Sequence, residues 1–253
     1  MLRPRIIACL DVAGNEVVKG IQFGSLRALG RPEELAARYE DEGADEIVLL
    51  DITAGAERRG PDLAVVERTA RRLGIPLTVG GGIQAAETAR VVLAAGADKV
   101  SVNSAALRTP ALVGQIAEQA GSQAVVVAVD VRQEPGGHRV YASGGRTATS
   151  WWLGPWVAEV AARGAGEVLL TSIDRDGTGQ GYDVGALGQA AAAARLPLIA
   201  SGGGATAHHV AQALAVPGVT GALLAGVLHR GEVTLAALKD ALRSQGVWVR
   251  VGS

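Results

Sequence analysis

The sequence predicts an α/β fold of the (β/α)8 TIM-barrel class, built from two similar half-barrels. Three observations carry that expectation. Short apolar runs alternate with helical patterns along the 253 residues. The runs are rich in Val, Ile and Leu and do not alternate with polar residues, which suits strands buried on both faces of a parallel sheet. Run starts in the first half are separated by roughly 40, 30 and 22 residues, and the second half repeats nearly the same intervals. One barrel domain spanning residues 1–253 is the expected organisation.

The elements follow in order. The apolar runs are RIIACLD (5–11), EIVLLD (46–51), PLTVGGG (76–82), DKVSVN (98–103), AVVVAVD (124–130), EVLLTS (167–172), PLIASGGG (197–204) and GALLAG (221–226). Between them, RPEELAARYEDEG (31–43) spaces Leu35 and Tyr39 four apart and ends at Gly43. PDLAVVERTARRLG (61–74) opens on Pro61 and closes on Gly74. AAETARVVLAAG (85–96) and TPALVGQIAEQAG (109–121) also end in glycine. Proline in the first turn and glycine after the last is helix punctuation.

Local sequence repeats across the halves. GADEIVLL (43–50) echoes GAGEVLL (164–170), VGGGI (79–83) echoes SGGGA (201–205), and Asp11 after CL echoes Asp130 after AV. A doubly wound open sheet has no need of this symmetry, whereas a barrel closing two four-strand halves does. Pro217-Gly218 stands where the first half has Ala-Gly, and a small insertion is expected there. RQEPGGHRVYASGG (132–145) reads as a hairpin-like insertion after strand five.

Composition excludes several classes. With 48% hydrophobic residues the chain can fill a full core. Its 35 glycines follow no G-X-Y period, which removes collagen-like and low-complexity readings. Net charge is −1 and no basic block stands out, so neither a nucleic-acid nor a membrane partner is expected. Cys9 is the sole cysteine, so an internal disulfide or cysteine-built zinc site is impossible, in keeping with a reducing cytoplasm. The apolar run near the start stops at Asp11, too short for a signal-peptide core, and no stretch has the length and apolarity to span a bilayer.

In this fold chemistry collects at the C-terminal strand ends. Reading them off gives Asp11, Asp51, Gly80–Gly82, Asn103, Asp130, Thr171 to Asp176, Ser201–Gly204 and Ala225-Gly226. The first group is glycine-rich. Glycine lets backbone N–H groups approach an anion, and the loops after strands seven and eight are the usual phosphate site of the barrel. A single GGG reads as a tight turn. Two at symmetry-related positions favour two phosphate sites, and so a long substrate lying across the mouth. The second group is the pair Asp11 and Asp130, on opposite strands. Each alone reads as a cap or an ion pair. Together they flank the middle of such a substrate, where two buried carboxyls can divide acid and base roles.

The stretch LLTSIDRDGTGQGYD (169–183) resembles a calcium loop at Asp174, Asp176, Thr178 and Gly179, but Gly185 stands where the closing glutamate belongs. His208 and His209 are adjacent and cannot share a helix face, so no metal site is expected. At the other end of the strands, Arg5, Glu46, Lys99 and Glu167 begin strands one, two, four and six. Pointing inward, they would ring the base of the barrel as neutralising pairs, a plug or gate. Pointing outward, they would be exposed pairs of little weight.

RIIACLDV (5–12), VVKG (17–20), LLDITA (49–54), VGGGI, GADKVSVN (96–103), GSQAVVVAVD (121–130), GAGEVLLTSIDRDGTGQGYD (164–183), IASGGG (199–204) and the closing GVWVR (246–250) together resemble the cyclase subunits of imidazole glycerol phosphate synthase, of histidine biosynthesis. The resemblance spans essentially the whole chain. It implies a bis-phosphorylated ribulosyl-formimino aminoimidazole carboxamide ribonucleotide as substrate. Ammonia from a glutaminase subunit adds to it, an imidazole ring closes, and imidazole glycerol phosphate and an aminoimidazole carboxamide ribotide leave. No cofactor is implied. The resemblance makes Asp11 and Asp130 catalytic and places Lys19 in a mobile loop after strand one as a substrate contact. It gives one phosphate to Gly82, Asn103 and Ser104, and the other to Asp176, Gly177, Gly203, Ala225 and Gly226. Thr171, at the end of strand six, joins the substrate-binding set. Arg5, Glu46, Lys99 and Glu167 match a gate through which ammonia enters.

The chain departs from the family pattern in places. It has Gly226 where a serine is usual and Gln22 where an asparagine is common, and it lacks the lysine often found near Gly179. Two rivals stay open here. One is the related isomerase of the same pathway, against which Cys9-Leu10-Asp11-Val12 and Gly181-Tyr182-Asp183 argue. The other is a barrel that serves mainly to dock and activate the glutaminase, which Gly226 and Gln22 would suit.

Overall fold

The structure is a computed structural model that describes residues 3–21, 25–55, 57 and 59–250. In chain order it contains β1 (Arg5–Ala13), β2 (Glu16–Ile21), β3 (Ser25–Gly30), α1 (Pro32–Asp41), β4 (Glu46–Asp51), α2 (Leu63–Ala70), β5 (Leu77–Gly80), α3 (Ala86–Ala94), β6 (Lys99–Val102), α4 (Ser104–Arg108) and α5 (Ala111–Ala120). The second half contains β7 (Val125–Glu134), β8 (Gly137–Ala142), β9 (Thr147–Trp152), α6 (Leu153–Ala162), β10 (Glu167–Ser172), α7 (Val184–Ala193), β11 (Leu198–Ser201), α8 (Ala207–Leu214), β12 (Val219–Leu224), α9 (Gly226–His229) and α10 (Leu235–Ser244).

Eight of these strands pair in parallel around a closed ring: β1 with β4, then β5, β6, β7, β10, β11 and β12, which returns to β1. This is the expected (β/α)8 barrel. Side chains alternate along a strand, so every second residue faces the interior. Ile7, Cys9, Val48, Val126, Leu169, Ile199 and Leu223 fill that interior as one apolar cluster. A larger cluster packs the helices on the outside, with Trp156 and Tyr39 among its fully buried side chains. Among the described residues no helix is long and apolar enough to cross a membrane.

Several local expectations need correction. Among the described residues, extra antiparallel strands interrupt the strand–helix alternation in each half. Residues 16–21 and 25–30 pair as antiparallel strands, β2 on β3, so Lys19 lies on a strand rather than in a loop. Its register is set by pairs such as Val18 with Ala28 and Lys19 with Arg27, which give the segment β-ladder hydrogen bonds that apolar periodicity does not reveal. The second break was expected: β7 overruns the barrel and folds back through β8 and β9. Pro61 does not open a helix. The cap of α2 is Asp62, whose carboxylate accepts from the Ala64 and Val65 amides. No insertion occurs at Pro217-Gly218, because the linker 215–218 before β12 is as long as 95–98 before β6.

The base of the barrel is tied to its last helix by a buried ion pair. Lys239 Nζ of α10 lies 2.8 Å from Asp45 Oδ1, and both residues are buried. Asp45 Oδ2 also accepts the Ile6 amide at 2.7 Å, so one carboxylate holds β1 and α10 together. Removing one partner of such a pair strands the other charge in a dry place, at a cost of about 3–5 kcal/mol. Lys239→Ala should therefore lose roughly that much in urea unfolding. The double variant Asp45→Asn, Lys239→Met, which strands no charge, should regain part of it. A double variant as unstable as the sum of the singles would contradict this account.

Candidate active site at the barrel mouth

The inward columns decide which groups meet. On β1 the column reads Arg5, Ile7, Cys9, Asp11, and on β10 it reads Glu167, Leu169, Thr171. Each column thus carries a charge at the base, an apolar middle and a polar group at the mouth. Asp130 on β7 is in register with Thr171, and Thr171 with Ser201. Asp11 on β1 lies across the mouth, since β1 and β7 are separated by three strands on one side of the ring.

Both aspartates are largely enclosed. Burial pushes the Asp11 carboxyl up to about 6, and the charge of Asp176 adds to the rise. Asp130 is likewise pushed up to about 6, by burial first; the Asn103 amide opposes that rise and Asp176 reinforces it. Asn103 Nδ2 donates to Asp130 Oδ2 at 2.9 Å, while Asn103 Oδ1 is buried without a hydrogen-bond partner. Asp176 sits on the loop after β10, anchored by its own amide to the Ser172 carbonyl at 2.9 Å, and desolvation by its surroundings raises its carboxyl too, although the residue remains partly open to solvent. Three carboxyls therefore face one space, and none has an arginine or lysine partner there among the described residues.

The expected phosphate corners take shape differently. On one side, Gly82 (φ +68°) lies so close to the Arg59 carbonyl and to Ala54 that any Cβ would collide. Asp51 holds the neighbouring groups in place: it accepts from the Thr53 and Ala54 amides and binds Arg59 at 2.5 Å. Glycine is thus required there by packing alone. Ser104 begins α4, and its Oγ accepts the Ser143 amide at 2.8 Å, which draws the β8–β9 turn over this corner. On the other side, Gly203 (φ +89°) is pressed against the Gly181 carbonyl and Arg175. Gly177 (φ +73°) has open space around it. Ala225 and Gly226 lead into α9.

Lys19 reaches this second corner from β2, its Nζ donating to the Gly226 carbonyl at 3.4 Å. Gln22 lies outside the described residues. Asp174 serves the scaffold, accepting the Gln133 amide at 2.8 Å. Tyr182 is buried and donates to the Leu223 carbonyl at 3.0 Å, and Asp183 caps α7 through the Ala186 amide. Together they seat the loop of residues 173–183 on the neighbouring strands.

At the base, Arg5, Glu46, Lys99 and Glu167 do point inward. Arg5 bridges Glu46 (2.6 Å) and Glu167, and Lys99 bridges the same two carboxylates at 3.0 and 3.2 Å. Thr78 adds a hydrogen bond to Glu46 at 2.7 Å. Two groups near the mouth escape sequence reasoning. His229 and Arg230 follow the last strand with no periodic pattern to mark them. His229 Nδ1 lies 2.7 Å from the Tyr39 hydroxyl, and its imidazole is pushed down to about 4 by burial and by Lys19, so it is neutral at ordinary pH.

A wide mouth with opposed acids and a glycine-rich corner on each flank narrows the field, and comparison with known proteins decides the family. Residues 5–234 match the model of the family described as histidine biosynthesis protein. The chain is 50% identical over 250 residues to imidazole glycerol phosphate synthase subunit HisF of Myxococcus xanthus, covering 99% of each. The chain belongs to the HisF family. The HisF subunits of Gluconacetobacter diazotrophicus and Dictyoglomus thermophilum are 51% and 49% identical, over 99% of this chain and 97% and 100% of theirs.

For this HisF-family barrel the raised carboxyls have a consequence for stability. The folded value of Asp11, about 6, lies above its ordinary value of 3.8. Its protonated form is the one the fold prefers, so its contribution is full below pH 3.8 and is lost as pH rises through 6. Asp11→Asn mimics the protonated state. It should raise Tm at pH 7.5, by roughly 2–4 °C per kcal/mol for a chain of this size. The gain should vanish near pH 4, where the wild type is itself protonated. Scanning calorimetry across that range checks it; a variant no more stable than wild type at pH 7.5 would refute it.

Proposed function

We propose that the barrel is an ammonia-dependent cyclase acting on a bis-phosphorylated ribulosyl-formimino aminoimidazole carboxamide ribonucleotide. One observation carries the reading: Asp11 and Asp130 end opposed inward columns, and both titrate near 6, within reach of neutral pH in either direction. Gly82, Asn103 and Ser104 would hold one phosphate. Asp176, Gly177, Gly203, Ala225 and Gly226 would hold the other through their backbone, with Lys19 beside them and Thr171 on the floor between. A ligand held at both ends has its middle between the two aspartates.

Asp130 suits the base. Asn103 donates to its carboxylate and favours the charged form, ready to take a proton as ammonia attacks the ribulosyl carbonyl. Asp11 has no such donor among the described residues and suits the acid that protonates the leaving aminoimidazole as the ring closes. The family's other subunit, a glutaminase, would supply ammonia at the base. There the four-charge ring is paired throughout, and Arg5 or Lys99 would shift to let a small neutral molecule pass.

Two outcomes test this. Asp11→Asn and Asp130→Asn should each lose about 10²–10⁴-fold in turnover with ammonium salt as nitrogen donor. Near wild-type rates in both would remove the pair from the chemistry. Arg5→Ala should leave turnover with free ammonium largely intact, since Arg5 lies at the far end of the barrel. It should lower the yield of product per glutamine consumed when the glutaminase is present. Unchanged coupling would show that the ring is scaffold and not gate.

A further inference from the structure

The Gly226 corner contains a second cation that the backbone cradle does not require. Arg230 lies one turn along from Gly226. A Cβ placed on Gly226 would come within 3.0 Å of Arg230 Nη1 and 3.7 Å of Lys19 Nζ. The φ of Gly226 is not in the left-handed region, so the backbone does not demand glycine here; the space beside it is what the missing side chain leaves open. Lys19 Nζ points at the Gly226 carbonyl, and Arg230 occupies the volume a side chain would take.

Two cations thus converge on one backbone corner. The only carboxylate paired with either of them among the described residues is Glu232, which binds Arg230 through Nε and through Nη2, the latter at 2.9 Å. Glu232 engages the Nε–Nη2 edge of the guanidinium, and Nη1 is the nitrogen aimed at Gly226. The proton affinity of Lys19 is lowered by burial and then by the Arg230 charge, the mark of like charges facing each other across a gap. A phosphate dianion between them would relieve that repulsion. A guanidinium edge is well matched to phosphate oxygens.

We propose that Arg230 is a phosphate ligand of this site, acting with Lys19 from the side that Gly226 leaves open. The proposal rests on the cyclase reading for the identity of the substrate, but not for the presence of an anion. Arg230 takes over the role that a hydroxyl side chain at position 226 would serve. Glu232 holds the guanidinium in place and competes mildly with the incoming phosphate.

The test is a set of variants in steady-state turnover with ammonium salt and, separately, in calorimetric titration with inorganic phosphate. Arg230→Gln should raise KM for the bis-phosphorylated substrate about tenfold, with the loss falling on KM and not on kcat. Glu232→Gln should lower KM. Adding Gly226→Ser to Arg230→Gln should recover much of the lost affinity, because the serine hydroxyl enters the volume the guanidinium has left. If Arg230→Gln changes neither KM nor phosphate affinity by more than twofold, the proposal is wrong. It is equally wrong if Glu232→Gln and Arg230→Gln shift binding in the same direction. A wild-type protein that binds phosphate in an Arg230-dependent way but shows no cyclase turnover would overturn the substrate reading and leave the anion site standing.

Discussion

The structure depends on how a closed parallel barrel buries charge along its inward columns. At the base four charged side chains enter a dry interior and satisfy one another: two cations each bridge the same two carboxylates, so the ring is neutral and hydrogen-bonded. Such a ring is tolerable because no member is left without a partner. At the mouth the same columns end in Asp11, Asp130 and, on the adjoining loop, Asp176, with no cation paired to them among the described residues. The fold thus pairs its charges at the base and leaves these three carboxyls without an ion-pair partner at the mouth among the described residues. Between the two ends lies an apolar layer of Ile7, Val48, Val126, Leu169, Ile199 and Leu223, which keeps water from linking them. Above it, burial and the charge of Asp176 raise Asp11 and Asp130 to about 6.

The two glycine corners look alike in sequence and differ in physics. At Gly82 and Gly203 the absence of a Cβ is forced by a neighbouring carbonyl, so these glycines would be needed with or without a ligand. Their presence alone is therefore weak evidence for phosphate. The stronger evidence is what surrounds them. Asn103 keeps an unpaired buried oxygen beside Asp130. Gly177 faces open space. Lys19 and Arg230 bring positive charge to the Gly226 corner. Gly226 belongs to a different class from Gly82 and Gly203, since the backbone permits a side chain there and only the neighbouring cation fills the room.

Much of this was legible in the sequence, for a definite reason. Barrel strands buried on both faces write themselves as unbroken apolar runs, and their ends are where the run breaks. Asp11, Asp130 and Thr171 could be read as mouth residues on that basis. Arg5, Glu46, Lys99 and Glu167 could be read as base residues by the same logic, although only coordinates fix which way they point. The pairing of β2 with β3 was illegible because it depends on register between two short segments with no clear period. Asp62 as the cap of α2, one residue after Pro61, turned on a single φ/ψ choice. Arg230 and His229 were missed because their partners, Gly226, Lys19 and Tyr39, come from other elements or a helix too short to show a period.

Tyr182 shows how a residue with no charge at the mouth can still bear on the carboxyls there. Its hydroxyl is tied to the Leu223 carbonyl on β12, and its ring lies against Gly204, where even a methyl group would collide. The same loop carries Asp176, whose charge raises both Asp11 and Asp130. Asp183, next in sequence, caps α7 and accepts from Ser172 at the end of β10. The loop therefore has fixed attachments on β10, β12 and α7, which hold its acid in place relative to Asp11 and Asp130. A Coulombic effect on two groups at once requires that their common neighbour not wander, because the energy falls with separation and with each water admitted between the charges. Burying Tyr182 supplies that constraint: it spends an aromatic ring on holding a loop so that a carboxylate on the loop can tune two others.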